Sequence, residues 1–151
     1  MLRGIRRILL VSVLVVGASS GCREAVPPTA PDAEMTMFDG GGPVGPSFVG
    51  QWRRTGYAVT GSATLVIENT NARLTFSSDF SIGQAPGPAV YLNTTNNPNT
   101  GQPLRVGALK SRNGTQTYDF VVPAGRRYAY VIIWCDPFNV AMAEAAIQPA
   151  P

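Results

Sequence analysis

Apolar and polar residues alternate in short runs over most of the chain from about residue 48 onward. Every second residue in these runs is apolar, which is the period of a β-strand with one buried face. Asn-Gly, Pro-Gly and Gly-Pro turns punctuate the runs, and turns of this kind separate antiparallel strands. The pattern predicts an all-β domain, an antiparallel β-sandwich of about seven to nine short strands. The positions that carry it are Leu65 and Ile67; Leu74 and Phe76; Ala89, Val90, Tyr91 and Leu92; Leu104, Val106 and Ala108; and Gln116, Tyr118 and Phe120.

One run, residues 128–135, is apolar at every position. In a strand its side chains divide between two faces, Tyr128, Tyr130, Ile132 and Trp134 on one and Ala129, Val131, Ile133 and Cys135 on the other. A strand that is apolar on both faces is expected at the centre of a sheet, covered on both sides. Cys135 is therefore predicted at a strand end with its sulfur enclosed, before Asp136 and Pro137 turn the chain.

Two further segments interrupt or end the β pattern. Residues 93–101 are too polar for a strand and predict a long exposed loop. Residues 141–146 are rich in Ala, with Met and Glu, and local propensity alone would make them a helix.

The amino-terminal residues read as a secretion signal. Three arginines precede the apolar run 8–16, small residues 17–21 follow, and Cys22 comes next. Cys22 resembles the lipobox cysteine of bacterial lipoproteins, which implies acylation and a lipid bilayer as partner; ordinary cleavage, leaving Cys22 free or paired, is the alternative. By resemblance to lipoprotein sorting, the absence of Asp in the next position, which is Arg23, implies an outer-membrane destination in a cell that has an outer membrane, facing the periplasm or the cell surface. The predicted organisation is a signal over 1–21, a lipidated Pro/Gly-rich linker over 22–46 and a β-domain over 47–148.

Composition removes several classes of function. The formal net charge of +3 comes from 12 basic and 9 acidic residues, and loss of the signal with its three arginines leaves 9 of each. No basic patch then remains for nucleic acid. The chain has no His, which excludes a Ser-His-Asp triad, a His-ligated zinc and an imidazole pH switch.

The domain resembles a known family, the DM-thirteen domain, also called the electron-transfer domain. The resemblance runs through Gly87-Pro88-Ala89-Val90-Tyr91-Leu92, Gly107-Ala108-Leu109-Lys110, Gly114-Thr115-Gln116-Thr117-Tyr118 and, most specifically, Val131-Ile132-Ile133-Trp134-Cys135 with Phe138 and Val140. It implies a β-rich fold, a closing strand over 138–147 in place of a helix, and a redox role for the strand-end cysteine. The chain departs from the family at Tyr57, where a His is frequent, and at Met142-Ala143, which replaces a Phe-Gly pair.

These observations leave two functional hypotheses for Cys135. In the first, the domain is a membrane-tethered redox module with a redox protein partner, and Cys135 is the redox group. Trp134, with Tyr118, Tyr128 and Tyr130, would then serve as neighbouring redox-active rings. In the second, the domain is a non-enzymatic binding or envelope-structural module in which Cys135 is buried core. Lipidation of Cys22 would leave one thiol, so no Cys-x-x-Cys cycle is available. We expect no catalytic residues, no enzymatic activity and no protein metal site, and the sequence identifies no cofactor.

Overall fold

The computed structural model describes residues 43–151, which form β-strands joined by short loops. The predicted signal and most of the predicted linker lie outside the described residues. Eight strands have five to seven residues and four have two, so the longer ones agree with the predicted number. They are β1 (Ser47–Gln51), β2 (Arg53–Arg54), β3 (Val59–Thr60), β4 (Ser62–Glu68), β5 (Asn71–Phe76), β6 (Ser81–Ile82), β7 (Pro88–Asn93), β8 (Leu104–Ala108), β9 (Gln116–Val121), β10 (Tyr130–Cys135), β11 (Val140–Ala146) and β12 (Gln148–Pro149).

Two five-stranded antiparallel sheets pack together and confirm the predicted sandwich. The first has the order β12-β1-β4-β5-β9, and the second has the order β2-β11-β10-β7-β8. Strands β3 and β6 form a separate two-stranded sheet. This packing explains the alternation of apolar and polar residues in the sequence, because every second side chain of a strand points between the sheets. Leu65, Leu74, Val90 and Val131 are examples, each with no exposed surface.

Strand β10 lies at the centre of the second sheet, as its apolar sequence predicted, and its two faces have different surroundings. Val131, Ile133 and Cys135 point inward and belong to the main core cluster. Ile132 and Trp134 are also buried but stand outside that cluster. The strand is therefore covered on both faces.

The segment after β10 is a strand, which confirms the implied closing element. Its alanines and Met favour a helix locally, but β10 offers a full row of backbone partners to β11. The register between them shifts at Ile133 and Trp134, and Met142 and Ala143 are both buried there. A bulge of this kind lets two neighbouring side chains point into the core.

The loop after β7 is only partly exposed, so the predicted exposed loop over 93–101 is wrong at its first residue. Asn93 has no exposed surface and anchors the loop. Its Oδ1 accepts the backbone N–H of Thr94 and of Gln102, both at 2.8 Å. The loop closes so tightly around this amide that a Cβ on Gly101, whose φ is +71°, would lie 2.9 Å from the same oxygen.

The described residues 43–151 all belong to one compact unit. The main core cluster is drawn entirely from residues 52–147, within that unit. A segment with its own complete core meets the requirement for folding alone, so a 37–151 fragment is suitable for experiments. Within the described residues no helix is long and apolar enough to span a membrane.

Candidate functional site

Cys135 is the last residue of β10, where it is held between two neighbouring strands. It stands opposite Pro88 of β7 and Val140 of β11. The side chain has no exposed surface, in keeping with the enclosed sulfur that the sequence predicted. The thiol donates a hydrogen bond to the carbonyl oxygen of Pro86, with 2.8 Å between sulfur and oxygen. A thiol can donate this bond only while it carries its proton.

The thiol is covered by two surface segments that meet above it. One contains Pro86 and Gly87, and the other is the 3-10 turn Asp136–Phe138 that follows Cys135. Gly87 has a φ of +61°, and a Cβ there would lie 2.7 Å from the ring of Pro137. Glycine is therefore required both for the backbone conformation and for the close approach of the two segments. Because Pro86, Gly87 and residues 136–140 are all exposed, only one layer separates the sulfur from solvent.

The surface beside this cover carries an ionic hydrogen-bond network. The carboxylate of Asp136 accepts a bond from the Tyr91 hydroxyl at 2.8 Å and from Arg105 Nε at 3.1 Å. Burial and the neighbouring Asp136 raise the pKa of Tyr91, although Arg105 opposes them. Sequence reasoning missed this network, because its members come from three strands or turns whose adjacency is set only by sheet pairing.

Two large apolar side chains are exposed at the same corner. Phe138 is 64% exposed and Val140 is 41% exposed. Phe138 ends the 3-10 turn that covers Cys135, and Val140 begins β11 opposite Cys135, so both lie next to the charged network. The corner therefore presents an apolar surface with an ion pair at its edge.

The structure separates most of the predicted redox rings from the thiol. Trp134 lies on the opposite face of β10 from Cys135, so the indole and the sulfur are on different sides of the sheet. Tyr130 is the first residue of β10 and Tyr128 precedes it, whereas Cys135 is the last residue of that strand. Tyr118 is in the same core cluster as Cys135, and its ring contacts Phe76 with 5.7 Å between centroids.

The aromatic part of the core forms a connected group. Trp52, Phe76 and Phe80 pack with ring centroids 4.8 to 5.8 Å apart. Tyr118 completes the group, and its hydroxyl donates to Oε1 of the buried Gln116 at 2.8 Å. Burial raises the pKa of Tyr118 above 10.0. These contacts give the group a structural role in fixing the first sheet against the second.

Across residues 43–151, no three His, Cys, Asp or Glu side chains are grouped to hold a metal ion. Tyr57, which stands where relatives of the implied family often have His, is half-buried.

Comparison with known proteins supports the motif-based assignment. The family model described as Electron transfer DM13 matches residues 51–147, which is 97 of the 151 residues (147 − 51 + 1). Neither a curated protein nor a solved structure matches the chain significantly. The matched range includes β2 to β11 and therefore Cys135, its cover and the closing strand. The chain belongs to the electron-transfer DM13 domain family.

Proposed function

We propose that this protein is a lipid-anchored lipoprotein of the cell envelope, whose DM13 domain forms a thiol adduct with a redox protein partner through Cys135. The observation that carries the proposal is the position of the thiol. It is fully buried but lies one layer beneath a corner that is exposed throughout. In this proposal the domain exchanges a disulfide bond with its partner and has no enzymatic turnover of its own.

Side-chain bonds from Tyr91 and Arg105 hold the Asp136 carboxylate at the edge of the cover, but two backbone hydrogen bonds of the cover are long. The backbone N–H of Asp136 reaches the Gly87 carbonyl at 3.3 Å, and that of Asn139 reaches the Asp136 carbonyl at 3.3 Å. Both distances exceed the usual range for N–H···O bonds, and the 3-10 turn has no side-chain cap. Exposed segments with weak backbone bonds open locally at a low free-energy cost. Such an opening would free the sulfur while the two sheets stay packed.

The chemistry proposed for the open state is thiol–disulfide exchange. The Cys135 thiol loses its proton, and the thiolate attacks one sulfur of a disulfide on the partner. A Cys135–partner S–S bond forms, the partner's own S–S bond breaks, and the departing partner thiolate takes up a proton. Sulfur of Cys135 is thereby oxidised and the departing sulfur is reduced, so atoms and electrons balance. Phe138 and Val140 would supply an apolar contact for the partner at the opened corner.

The second candidate is a binding or structural module in which Cys135 only fills the core. The complete burial of the side chain and its bond to Pro86 favour it. The two candidates differ in one measurable property: whether the thiol becomes accessible without unfolding of the whole domain.

Thiol labelling of the 37–151 fragment in increasing urea tests this difference. Local opening exposes little surface, so its free energy depends weakly on urea, whereas global unfolding has the full slope. We expect labelling of Cys135 in native buffer with almost no urea dependence. A control fragment with Cys135→Ala and Ile133→Cys carries its thiol two residues deeper on the same face. In that control, the free energy of the opening that permits labelling should depend on urea as steeply as the free energy of global unfolding does.

Equal urea slopes for the two fragments would contradict the redox proposal and establish the structural module. If the slopes differ as expected, incubation with an oxidised small-molecule disulfide should give a Cys135 adduct detectable by mass, and Cys135→Ser should abolish it.

The proposed anchor is tested in the full chain. Cys22→Ser removes the acylation site and should move the protein from the membrane fraction to the soluble fraction, because stable anchoring needs more than one acyl chain or equivalent signal. Cys135→Ser is the matched control and should stay membrane-bound. Detergent-dependent partitioning that persists in Cys22→Ser would show that the lipoprotein assignment is wrong.

A further inference from the structure

A pocket of about 360 Å³ opens at the end of the sandwich away from Cys135. It lies where β1 and β4 meet the residues that lead into β10 and β12. Small-molecule sites commonly occupy about 300–1,000 Å³, so this volume is sufficient for a ligand. Strand β10 separates the pocket from Cys135 by five residue steps, about 17 Å at roughly 3.3 Å each. The inference that follows is independent of the redox proposal.

The inner wall of the pocket is apolar. Phe48 of β1 stands opposite Leu65 of β4, so both side chains lie on the face that points between the sheets. Ile67 continues that face, and Ile147 closes the other side. An apolar wall of this kind is complementary to hydrocarbon and gives little binding energy to a small, fully hydrated ion.

The remaining wall carries two cationic side chains, Arg126 and Arg127. The ion pairs within residues 43–151 join Arg73 to Asp119 and Arg105 to Asp136, so neither pocket arginine is paired there. No acidic residue lines the pocket, and Glu68 at the end of β4 accepts a bond from the backbone N–H of Val44. Guanidinium groups remain charged at every relevant pH and bind carboxylates through two parallel hydrogen bonds.

A third polar group at the pocket lacks a partner. Tyr128 is 8% exposed, lines the pocket, and has a buried hydroxyl with no hydrogen-bond partner within the described structure. Burial raises the pKa of this hydroxyl, whereas the charge of Arg126 and a contact from its guanidinium to the hydroxyl lower it, which places Arg126 beside the hydroxyl. That contact does not meet hydrogen-bond geometry, and the hydroxyl proton has no acceptor. A buried hydroxyl without a partner is unfavourable, and an acceptor atom from a ligand would satisfy it.

We infer that this pocket binds a medium-chain fatty acid, with its hydrocarbon chain against Phe48, Ile67 and Ile147 and its carboxylate bound by Arg126 and Arg127. The Tyr128 hydroxyl donates to a carboxylate oxygen in this complex. Charge complementarity selects the ligand class, since two unpaired cations beside an apolar wall match a molecule that has one anionic end and one apolar end. A neutral lipid of the same length lacks the anionic end and is excluded by the same argument.

Octanoate is a suitable probe because it combines a carboxylate with a short hydrocarbon chain. The 37–151 fragment has five isoleucines, of which Ile67 and Ile147 line the pocket and Ile82, Ile132 and Ile133 do not. With methyl-labelled isoleucine, octanoate should produce saturable NMR shifts at Ile67 and Ile147 and leave the other three methyl signals in place. Octanol and acetate, which each lack one half of the recognition, should bind at least tenfold more weakly.

Variants locate the anionic contact. Arg126→Gln should weaken octanoate binding about tenfold, the effect of losing a hydrogen bond to a charged group. Arg112→Gln, at an exposed arginine outside the pocket, should leave affinity unchanged. Tyr128→Phe should lower affinity several-fold without lowering the melting temperature, because the removed hydroxyl donates no hydrogen bond within the described structure.

Three results would overturn the inference. They are the absence of saturable shifts at Ile67 and Ile147, equal binding of octanol and octanoate, and undiminished octanoate affinity in an Arg126→Gln/Arg127→Gln fragment that melts like the parent.

Discussion

The side chain of Asn93 gives the sharpest test of how the structure is held together. Its amide nitrogen donates to the carbonyl oxygens of Asn97 at 2.8 Å and Thr100 at 2.9 Å, and lies 3.1 Å from Thr95 Oγ1. Replacement by Asp keeps the size and the acceptor oxygen that Thr94 and Gln102 use. It exchanges the donating NH2 group for an oxygen that faces other oxygens.

The expected cost follows from these contacts. Two donated bonds are lost, at about 1 kcal/mol each, and the carboxylate becomes a buried charge without a cation, for a total of about 3–5 kcal/mol at neutral pH. Burial raises the pKa of the new carboxyl above its unfolded value of about 3.9. The protonated form can still donate one bond, so stability is greatest below about pH 4. It falls as the pH rises above 4, until the folded carboxyl also ionises.

Urea unfolding of the 37–151 fragment, followed by tryptophan fluorescence at several pH values, measures this effect. Asn113→Asp is the control, because Asn113 is an exposed asparagine whose Oδ1 accepts the bond from Ser81 at 2.9 Å. That control should change the free energy of unfolding by no more than about 0.5 kcal/mol. Equal losses in Asn93→Asp and Asn113→Asp, or a loss in Asn93→Asp that does not grow with pH, would refute the reasoning.

Three further stability predictions concern other buried side chains. Cys135→Ser should cost at most about 1 kcal/mol, since a hydroxyl can donate to the Pro86 carbonyl. Cys135→Ala should cost about 1–2 kcal/mol because that carbonyl is left without a donor, and thermal melts in which the Ala variant is the more stable would contradict the bond. Trp134→Ala should cost about 3 kcal/mol through loss of a buried ring, and a calorimetric change below 1 kcal/mol would mean that the outer face of β10 is open. Tyr118→Phe should reduce the loss of stability above pH 10. Burial keeps the folded Tyr118 protonated above pH 10 while the unfolded side chain ionises, so the parent should lose more stability there than Tyr118→Phe does. Equal losses of unfolding free energy in alkaline urea titrations of the two proteins would show that this tyrosine does not contribute.

Much of the sandwich could be predicted from the chain alone, because strand alternation is a local property. The period-two runs at Leu65–Ile67 and Leu74–Phe76 predict strands whose alternate residues are buried. Leu65, Leu74 and Phe76 have no exposed surface, and Ile67 is partly buried against the core. The fully apolar run before Asp136 likewise predicts a central strand with an enclosed Cys135. Such predictions need only the identity of neighbouring residues along one strand.

Side-chain partners across the fold could not be predicted in this way. The acceptor of the Cys135 thiol is Pro86, 49 residues away, and the Asp136 carboxylate meets Arg105 from a strand that is not its neighbour in sequence. The closing strand 140–146 has helical propensity, and its strand conformation is decided by the free edge of β10. In each case the chemistry depends on which strands pair, and pairing is a property of the whole sheet.

The sequence by itself determined the fold class, the central place of β10 and the burial of Cys135, since all three follow from local patterns of apolar residues. Only the tertiary structure decided what surrounds them. It made Asn93 a buried anchor in a polar loop, placed the thiol beneath a single exposed layer, and brought Arg126 and Tyr128 to the apolar wall formed by Phe48 and Ile67. The physical reason is that hydrogen bonding, cover and pocket walls require atoms from distant parts of the chain, and the register of the sheets alone fixes which atoms meet.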